Sequence, residues 1–330
     1  MVQAARSKFP CISLTRVGSY IPAVGLGTWQ GGTGTEDEKK LKGSIIHALQ
    51  NGYRLIDTAQ FYGIESVVGD AVRESGIPRS EITVITKFWS HWHHDPAQAL
   101  QISLRDLSIE YVDIFLMHWP FATTPDPERK PLRKDQSPTF IETWKMMEKL
   151  VGPKCRAIGV SNFTQKTLDE LLPYCEVVPV VNQVELHAFN PNHKLVPDCE
   201  SKGIHVMSWS TMGGERSGET NPLHTHELFK DVAQEHQCST GVVALSWAVQ
   251  RGVTVIPKSS SKVRIEENIK LATLSDEEMS KINDAYRNIA RFRVSDLDED
   301  SFLMVDGKKT FHGWSYEDIG WIDQDGNWLT

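Results

Sequence analysis

Four side chains, Asp57, Tyr62, Lys87 and His118, are of the types needed to deliver a proton to an oxygen. Each stands at or just past the C-terminal end of a separate apolar run, 53–57, 83–87 and 112–118, with Tyr62 a short loop beyond the first. Residues at the C-terminal mouths of parallel strands share one face of a fold, so these groups can meet. A phenol alone is a poor acid, with a pKa of about 10. A neighbouring ammonium favours the phenolate and lowers that value, and a carboxylate holds the ammonium in place. An imidazole can hydrogen-bond a substrate oxygen. The combination suits protonating an alkoxide as it forms. Alone, an Asp–Lys pair is usually a structural ion pair and a strand-end histidine a satisfied polar group. The chemical reading therefore rests on the four occurring together and in order.

The elements that must position them follow from hydrophobic period. Strand candidates are 23–28, 53–58, 83–88, 112–118, 155–161, 178–184, 205–210 and 254–258. Between them lie helical patterns. Residues 37–51 place Leu41, Ile45 and Leu49 on one face before Gly52. Asp95-Pro96 opens another, with a capping aspartate and a first-turn proline ahead of Leu100, Leu104 and Leu107. Residues 138–150 and 164–172 follow the same logic. Eight strand–helix units predict a parallel sheet and match the (β/α)8 TIM barrel, usually about 250 residues before insertions.

The excess length is readily placed. Ile12-Ser13-Leu14 and Tyr20-Ile21-Pro22 read as an N-terminal β-hairpin, 121–137 as a polar loop, 211–225 as a Gly-rich loop, and 288–330 as a C-terminal extension. Nothing forces a boundary, so 1–330 is expected to be one barrel domain with its tail near the mouth of the site.

Composition excludes several classes of function. The 330 residues carry a formal net charge of −8 and a pI near 5.9, which argues against nucleic acid as a partner. Five scattered cysteines show no CxxC pair, which points to a reducing compartment. No apolar leader or run of about 20 apolar residues is present. A cytoplasmic monomer with no membrane partner is the expectation. His91, His93 and His94 flank Trp92 without a cysteine or carboxylate at ligand spacing, so no metal is expected. Gly25, Gly27 and Gly31 imitate a dinucleotide fingerprint, but the third glycine is one place late and Gln30 holds its position.

Several ordered motifs resemble one family. Residues 52–63 (Gly-Tyr-Arg-Leu-Ile-Asp-Thr-Ala-Gln-Phe-Tyr-Gly), 158–163 (Ile-Gly-Val-Ser-Asn-Phe) and 256–259 (Ile-Pro-Lys-Ser) with Arg264, Glu267 and Asn268 resemble the three signatures of the aldo-keto reductases. Thr86-Lys87, 117–120 (Met-His-Trp-Pro) and 181–185 (Val-Asn-Gln-Val-Glu) fit between them, and the resemblance runs from about Ile12 to Asn288. It extends to the sugar and uronate reductases of fungal type within that family.

The resemblance implies a barrel that binds NADPH, with NADH less favoured, and passes hydride to a carbonyl of an aldehyde, aldose, hydroxyaldehyde or hexuronate such as D-galacturonate. It implies Tyr62 as general acid, Lys87 as the group lowering its pKa, Asp57 as the partner of Lys87, and His118 as the residue orienting substrate. Ser161, Asn162 and Gln183 resemble the group that holds the nicotinamide amide. Trp209 stands where a stacking tyrosine is usual. Lys258, Ser259 and Arg264 resemble a 2′-phosphate clamp, and Glu267 and Asn268 the adenine contacts. Thr28, Trp29, Ser210, Met212 and Gly214 complete the implied cofactor set, although Met212-Gly213-Gly214 replaces a more common Leu-Gly-Ser. Trp29, Trp89, Trp92, His118, Trp119 and Phe121 are candidate substrate-pocket residues. Other readings are an NAD(P)-dependent polyol dehydrogenase of the same fold and a non-catalytic channel-associated or structural relative, against which the full set of four argues. Arg129, Lys130, Arg133 and Lys134 form a basic loop that either meets a substrate carboxylate or is simply solvated.

Overall fold

The structure is a computed structural model and describes residues 11–14, 19–29, 35–214, 220–297, 301–305 and 307–329. Residues 30–34, which include the end of the glycine-rich segment, lie outside the described residues. The expected hairpin forms from β1 (Cys11–Leu14) and β2 (Ser19–Pro22), with Cys11 opposite Pro22.

Eight strands then pair in parallel, in chain order. They are β3 (Leu26–Gly27), β4 (Leu55–Asp57), β5 (Thr83–Phe88), β6 (Val112–Met117), β7 (Cys155–Ser161), β8 (Val181–Glu185), β9 (His205–Trp209) and β10 (Thr254–Val255). The sheet closes where Val24 bridges Val255 and the Gly25 N–H donates to the Val255 carbonyl at 2.8 Å. Closure also brings Gly27 against β10: a Cβ there would lie 2.6 Å from the Ile256 carbonyl oxygen. The position therefore excludes any larger residue. The chain is a (β/α)8 barrel.

Strand period decides what faces inward. Leu55, Ile85, Ile114, Leu116, Val181 and Met207 form the inner core, whereas Ile56, Val84, Phe115, Met117, Ile158 and Val206 pack outward under the helices. Side chains alternate between faces, so residues two apart share a face. Asp57 follows Leu55, Lys87 follows Ile85, His118 follows Leu116, Gln183 follows Val181 and Trp209 follows Met207. The inner stripe of each strand thus ends on a candidate site residue at the top of the barrel.

The helices sheathing the barrel are α1 (Thr35–Gln50), α2 (Glu65–Glu74), α3 (Pro96–Leu107), α4 (Phe140–Glu148), α5 (Gln165–Leu171), α6 (Leu195–Ser201), α7 (Pro222–Thr225), α8 (Glu227–Glu235), α9 (Thr240–Gln250) and α10 (Lys262–Asn268). Asp95 caps α3 by accepting the Gln98 N–H at 2.9 Å, with Pro96 in the first turn. The helix expected at 138–150 begins at Phe140, because Thr139 and Glu142 form a reciprocal capping box that fixes Thr139 outside it.

The tail is more structured than its sequence suggested. After α11 (Asp276–Asn283) and α12 (Ala285–Asn288) the chain forms a hairpin of β11 (Phe302–Val305) and β12 (Lys308–Phe311), then α13 (Tyr316–Ile319). Glu185, at the end of β8, anchors its approach. Its buried carboxylate accepts the Val294 N–H at 2.5 Å, the Ser295 N–H at 3.1 Å and the Ser295 hydroxyl at 3.0 Å. Among the described residues no helix is long and apolar enough to cross a membrane.

Candidate active site

The four candidate residues meet at the barrel mouth. Lys87 is fully buried and Asp57 nearly so. The ammonium donates to Asp57 Oδ1 at 2.7 Å and to the Thr58 carbonyl at 3.0 Å, and its third direction reaches the Tyr62 hydroxyl at 3.5 Å. Asp57 Oδ2 accepts from Gln183 Nε2 at 2.7 Å. The carboxylate therefore has a partner on each oxygen, which a buried ion pair requires to offset its desolvation. Tyr62 ends a 3-10 turn, Gln60–Tyr62, closed by Gly63 in the left-handed region. That turn carries the phenol back over Lys87.

The electrostatics depart from the sequence expectation. Burial pushes the Tyr62 phenol above its ordinary range, while the Lys87 ammonium opposes the rise without reversing it. The expected net lowering is thus corrected, because the desolvation of a packed phenol is not visible in a sequence. Burial disfavours the Lys87 ammonium, but Asp57 and Tyr62 together outweigh it and the net direction is upward. Lys87 stays charged and Tyr62 stays protonated at neutral pH. Burial, reinforced by Lys87, holds His118 well below the usual imidazole range. Its Nδ1 is buried without a partner among the described residues, and a neutral ring protonated at Nε2 can donate to a substrate oxygen.

Beside this group, Ser161, Asn162 and Gln183 form a polar cluster. The Ser161 hydroxyl donates to the Gln183 carbonyl at 2.7 Å, and Asn162 Nδ2 donates to the His118 carbonyl at 2.9 Å. Trp209 has a role its sequence position did not reveal: its indole N–H donates to Asn162 Oδ1 at 2.9 Å, fixing that amide. Asn162 and Ser210 hold φ of 63° and 52°. Non-glycine residues in that region are uncommon and concentrate at functional sites.

Thr28 is buried and its hydroxyl donates to the Asp57 carbonyl at 2.9 Å. The Met212–Gly214 loop is tied by Asn221, whose Nδ2 donates to the Met212 and Gly214 carbonyls at 2.7 and 3.1 Å. Further along the rim, Ser259 and Asn268 are buried, Glu267 is half-buried, and Lys258 and Arg264 are exposed, with neither paired to a carboxylate among the described residues.

Among the candidate pocket residues, Trp89 packs edge-on to His118 at 5.0 Å, and Trp29 lies 5.0 Å from the Tyr62 ring. Sequence reasoning missed Phe61, which is half exposed and stacks between Trp89 at 4.0 Å and Trp29 at 6.0 Å. One candidate belongs elsewhere. Phe121 is fully buried, sealed under the tail by Trp119, His312 and Trp314. Trp92 makes its ring contacts with its loop neighbours His91 and His94. An aromatic residue in a loop has no fixed period to say which way it faces. Of the adjacent histidines, His93 turns into the core against the Thr143 hydroxyl at 3.1 Å, and burial lowers it to about 3. In the basic loop, Lys130 pairs with Glu128 at 2.5 Å, Arg133 with Asp135 at 3.3 Å and Lys134 with Glu170 at 2.7 Å. Three of its four charges are already matched.

Beneath the site, Glu65 is buried and accepts from the Thr86 hydroxyl at 2.6 Å, one residue before Lys87. Burial raises its pKa to about 7. The folded state then holds a proton that the unfolded chain releases near the ordinary carboxyl value of 4.5, so folding stability falls as pH rises through 4.5 to 7. At ~1.4 kcal/mol per pKa unit the loss approaches ~3 kcal/mol. Glu65→Gln should flatten this slope in urea unfolding between pH 5 and 8; an unchanged slope would show that Glu65 is not its source.

Comparison with known proteins agrees with this geometry. The profile described as the aldo/keto reductase family matches residues 23–287. The glycerol 2-dehydrogenase (NADP(+)) of Saccharomyces cerevisiae is 39% identical over 293 residues, covering 84% of this chain and 91% of that protein. The D-galacturonate reductase of Hypocrea jecorina is 38% identical over 83% of this chain and 89% of its own length. A Bombyx mori aldo-keto reductase solved in complex with NADP superposes with a TM-score of 0.79 at 34% identity, over 88% of this chain and 97% of that one. A barrel mouth carrying these groups, matched along most of the chain, makes this protein an oxidoreductase that belongs to the aldo/keto reductase family.

Proposed function

We propose that this chain is an NADPH-dependent reductase that converts the carbonyl of an aldehyde or sugar-type substrate to the alcohol, acting as a monomeric barrel of residues 1–330 in the cytoplasm. The observation that carries the reading is the Tyr62 hydroxyl 3.5 Å from a buried ammonium that Asp57 holds at 2.7 Å.

The residues present fit the cofactor. Gln183 keeps Nε2 on Asp57, while its Oε1, which accepts from no donor among the described residues, is available to a carboxamide N–H. Asn162 and Ser161 flank it, and Trp209 offers an indole face. Lys258 and Arg264 supply cations for a 2′-phosphate, with Ser259 beside them. NADPH, when bound, supplies the hydride. His118 donates from Nε2 to the carbonyl oxygen and sets its direction. Tyr62 gives its proton to that oxygen as negative charge develops. Lys87 stabilises the phenolate left behind, and Asp57 keeps Lys87 in register.

The relative named as a glycerol dehydrogenase favours a second reading, the same chemistry run as alcohol oxidation. Microscopic reversibility assigns the same residues, with the Tyr62 phenolate as base. The relative named as a galacturonate reductase keeps hexuronates among the substrates, though the ion pairs within the basic loop leave that loop little free charge to offer a carboxylate.

The test is cofactor loss with aldoses, hexuronates, short hydroxyaldehydes and aromatic aldehydes, with alcohol product counted against NADPH consumed. Stoichiometric alcohol supports the proposal; no aldehyde-dependent loss with any of them removes it. His118 is neutral through the working range, so turnover should show no limb near pH 6.5. A limb there that vanishes in His118→Gln would contradict the neutral assignment.

A further inference from the structure

The Tyr62–Lys87 contact joins two elements that little else holds in register. Tyr62 lies on the turn between β4 and α2, and Lys87 near the end of β5. Backbone pairing of β4 with β5 runs from Leu55 opposite Thr83 to Asp57 opposite Ile85, and the Thr58 N–H on the Ile85 carbonyl at 2.9 Å ends it. Past Thr58 the chain leaves the sheet. Among the described residues, 59–65 then meet β5 through two hydrogen bonds. One is the Tyr62–Lys87 contact itself, at 3.5 Å, and the other runs from the Thr86 hydroxyl to Glu65 Oε1 at 2.6 Å.

That second bond links the neighbours of the catalytic pair. Glu65 opens α2 three residues after Tyr62, and Thr86 directly precedes Lys87. Adjacent side chains on a strand point to opposite faces, so Thr86 turns out toward α2 where Lys87 turns into the barrel. Both ends of the bond are buried, Thr86 completely. On the other side of Tyr62, Gln60 Nε2 donates to the Ala99 carbonyl of α3 at 2.7 Å, so the turn is pinned before and after the phenol. A carboxyl is a costly way to staple a helix to a strand, because burial disfavours its charge. Apolar packing would staple them as well. What a hydrogen bond adds is a fixed direction and separation.

We infer that Glu65 is a positioning residue for proton transfer: through the Thr86 hydroxyl it holds the turn carrying Tyr62 against the end of β5 and so sets the Tyr62–Lys87 separation. In the transfer the Tyr62 O–H bond breaks, its proton joins the substrate oxygen as hydride reaches the carbonyl carbon, and Lys87 stabilises the phenolate left behind. A Tyr62 that stands away from Lys87 leaves that phenolate less stabilised. The chemical step then slows while substrate and cofactor still bind. The inference rests on the reductase reading and deepens it.

The experiment measures kcat and KM for pentanal, and Kd for NADPH, in paired variants. Thr86→Val removes the hydroxyl and keeps the shape, and Glu65→Met removes the acceptor and keeps the length. Each should lower kcat about tenfold or more, since a misplacement near ~1 Å can cost ~10²-fold. KM and Kd should stay within about twofold. Thr86→Ser and Glu65→Gln retain donor and acceptor and should keep kcat within about threefold. Unchanged kcat in the Val and Met variants beside a lower Tm would overturn the inference and leave the pair a staple of α2 to β5. So would equal losses in all four variants. If wild type does not reduce pentanal or any other aldehyde, the reductase reading fails on its own. Positioning is then decided without turnover, by the NMR signal of tyrosine labelled with carbon-13 at Cζ, assigned to Tyr62 by its loss in Tyr62→Phe. A signal that moves with Thr86→Val and Glu65→Met but not with Thr86→Ser and Glu65→Gln supports the inference; any other pattern overturns it.

Discussion

Tyr62→Phe is expected to lower aldehyde turnover by ~10²–10⁴-fold, the range general acid catalysis supplies, while NADPH binds as in wild type. The phenol is a proton donor at the mouth with a fixed cation behind it, Lys87 Nζ at 3.5 Å. Burial raises its pKa, so at neutral pH it enters the reaction protonated and needs Lys87 only as the proton leaves. The variant keeps the ring and its packing against Trp29 at 5.0 Å. Loss of turnover with unchanged cofactor affinity in a fluorescence titration therefore isolates the hydroxyl. Turnover within a few-fold of wild type would mean another group is the acid.

The second large effect concerns cofactor choice. Lys258→Ala combined with Arg264→Ala should weaken NADPH by about tenfold per lost contact, the lower end for charge-assisted bonds because both side chains are exposed. NADH, lacking the 2′-phosphate, should change little. Among the described residues neither cation is paired to a carboxylate, so neither charge is already committed there. The gap between cofactors should narrow with salt, since exposed charges are screened over ~10 Å at 0.1 M. Equal weakening of NADPH and NADH would refute a phosphate clamp at these residues.

What could be read beforehand was what strand period controls. Asp57, Lys87, His118, Gln183 and Trp209 each end an alternating stripe, and alternation alone carries them to one face. Loops obey no such rule. Phe121 and Trp92 were placed at the pocket by their position after a strand, yet one is sealed under the tail and the other stacks on its histidine neighbours. Phe61 was passed over because its 3-10 turn has too few residues to show a period. The tail hairpin was missed for a related reason: four-residue strands, whose approach is anchored by Glu185 more than a hundred residues earlier, leave no local signature. Lys87 does lower the Tyr62 pKa as read from the sequence, but burial raises it more, and only packing fixes how much of each is present.

Hydride transfer itself is tested most directly with NADPH deuterated at its transferable C4 position and an aldehyde in ordinary water. The account predicts an alcohol with one deuterium on the former carbonyl carbon, seen by mass spectrometry, and no label on the oxygen, which takes its proton through Tyr62. An unlabelled alcohol, or no alcohol while the cofactor is bound, would contradict it.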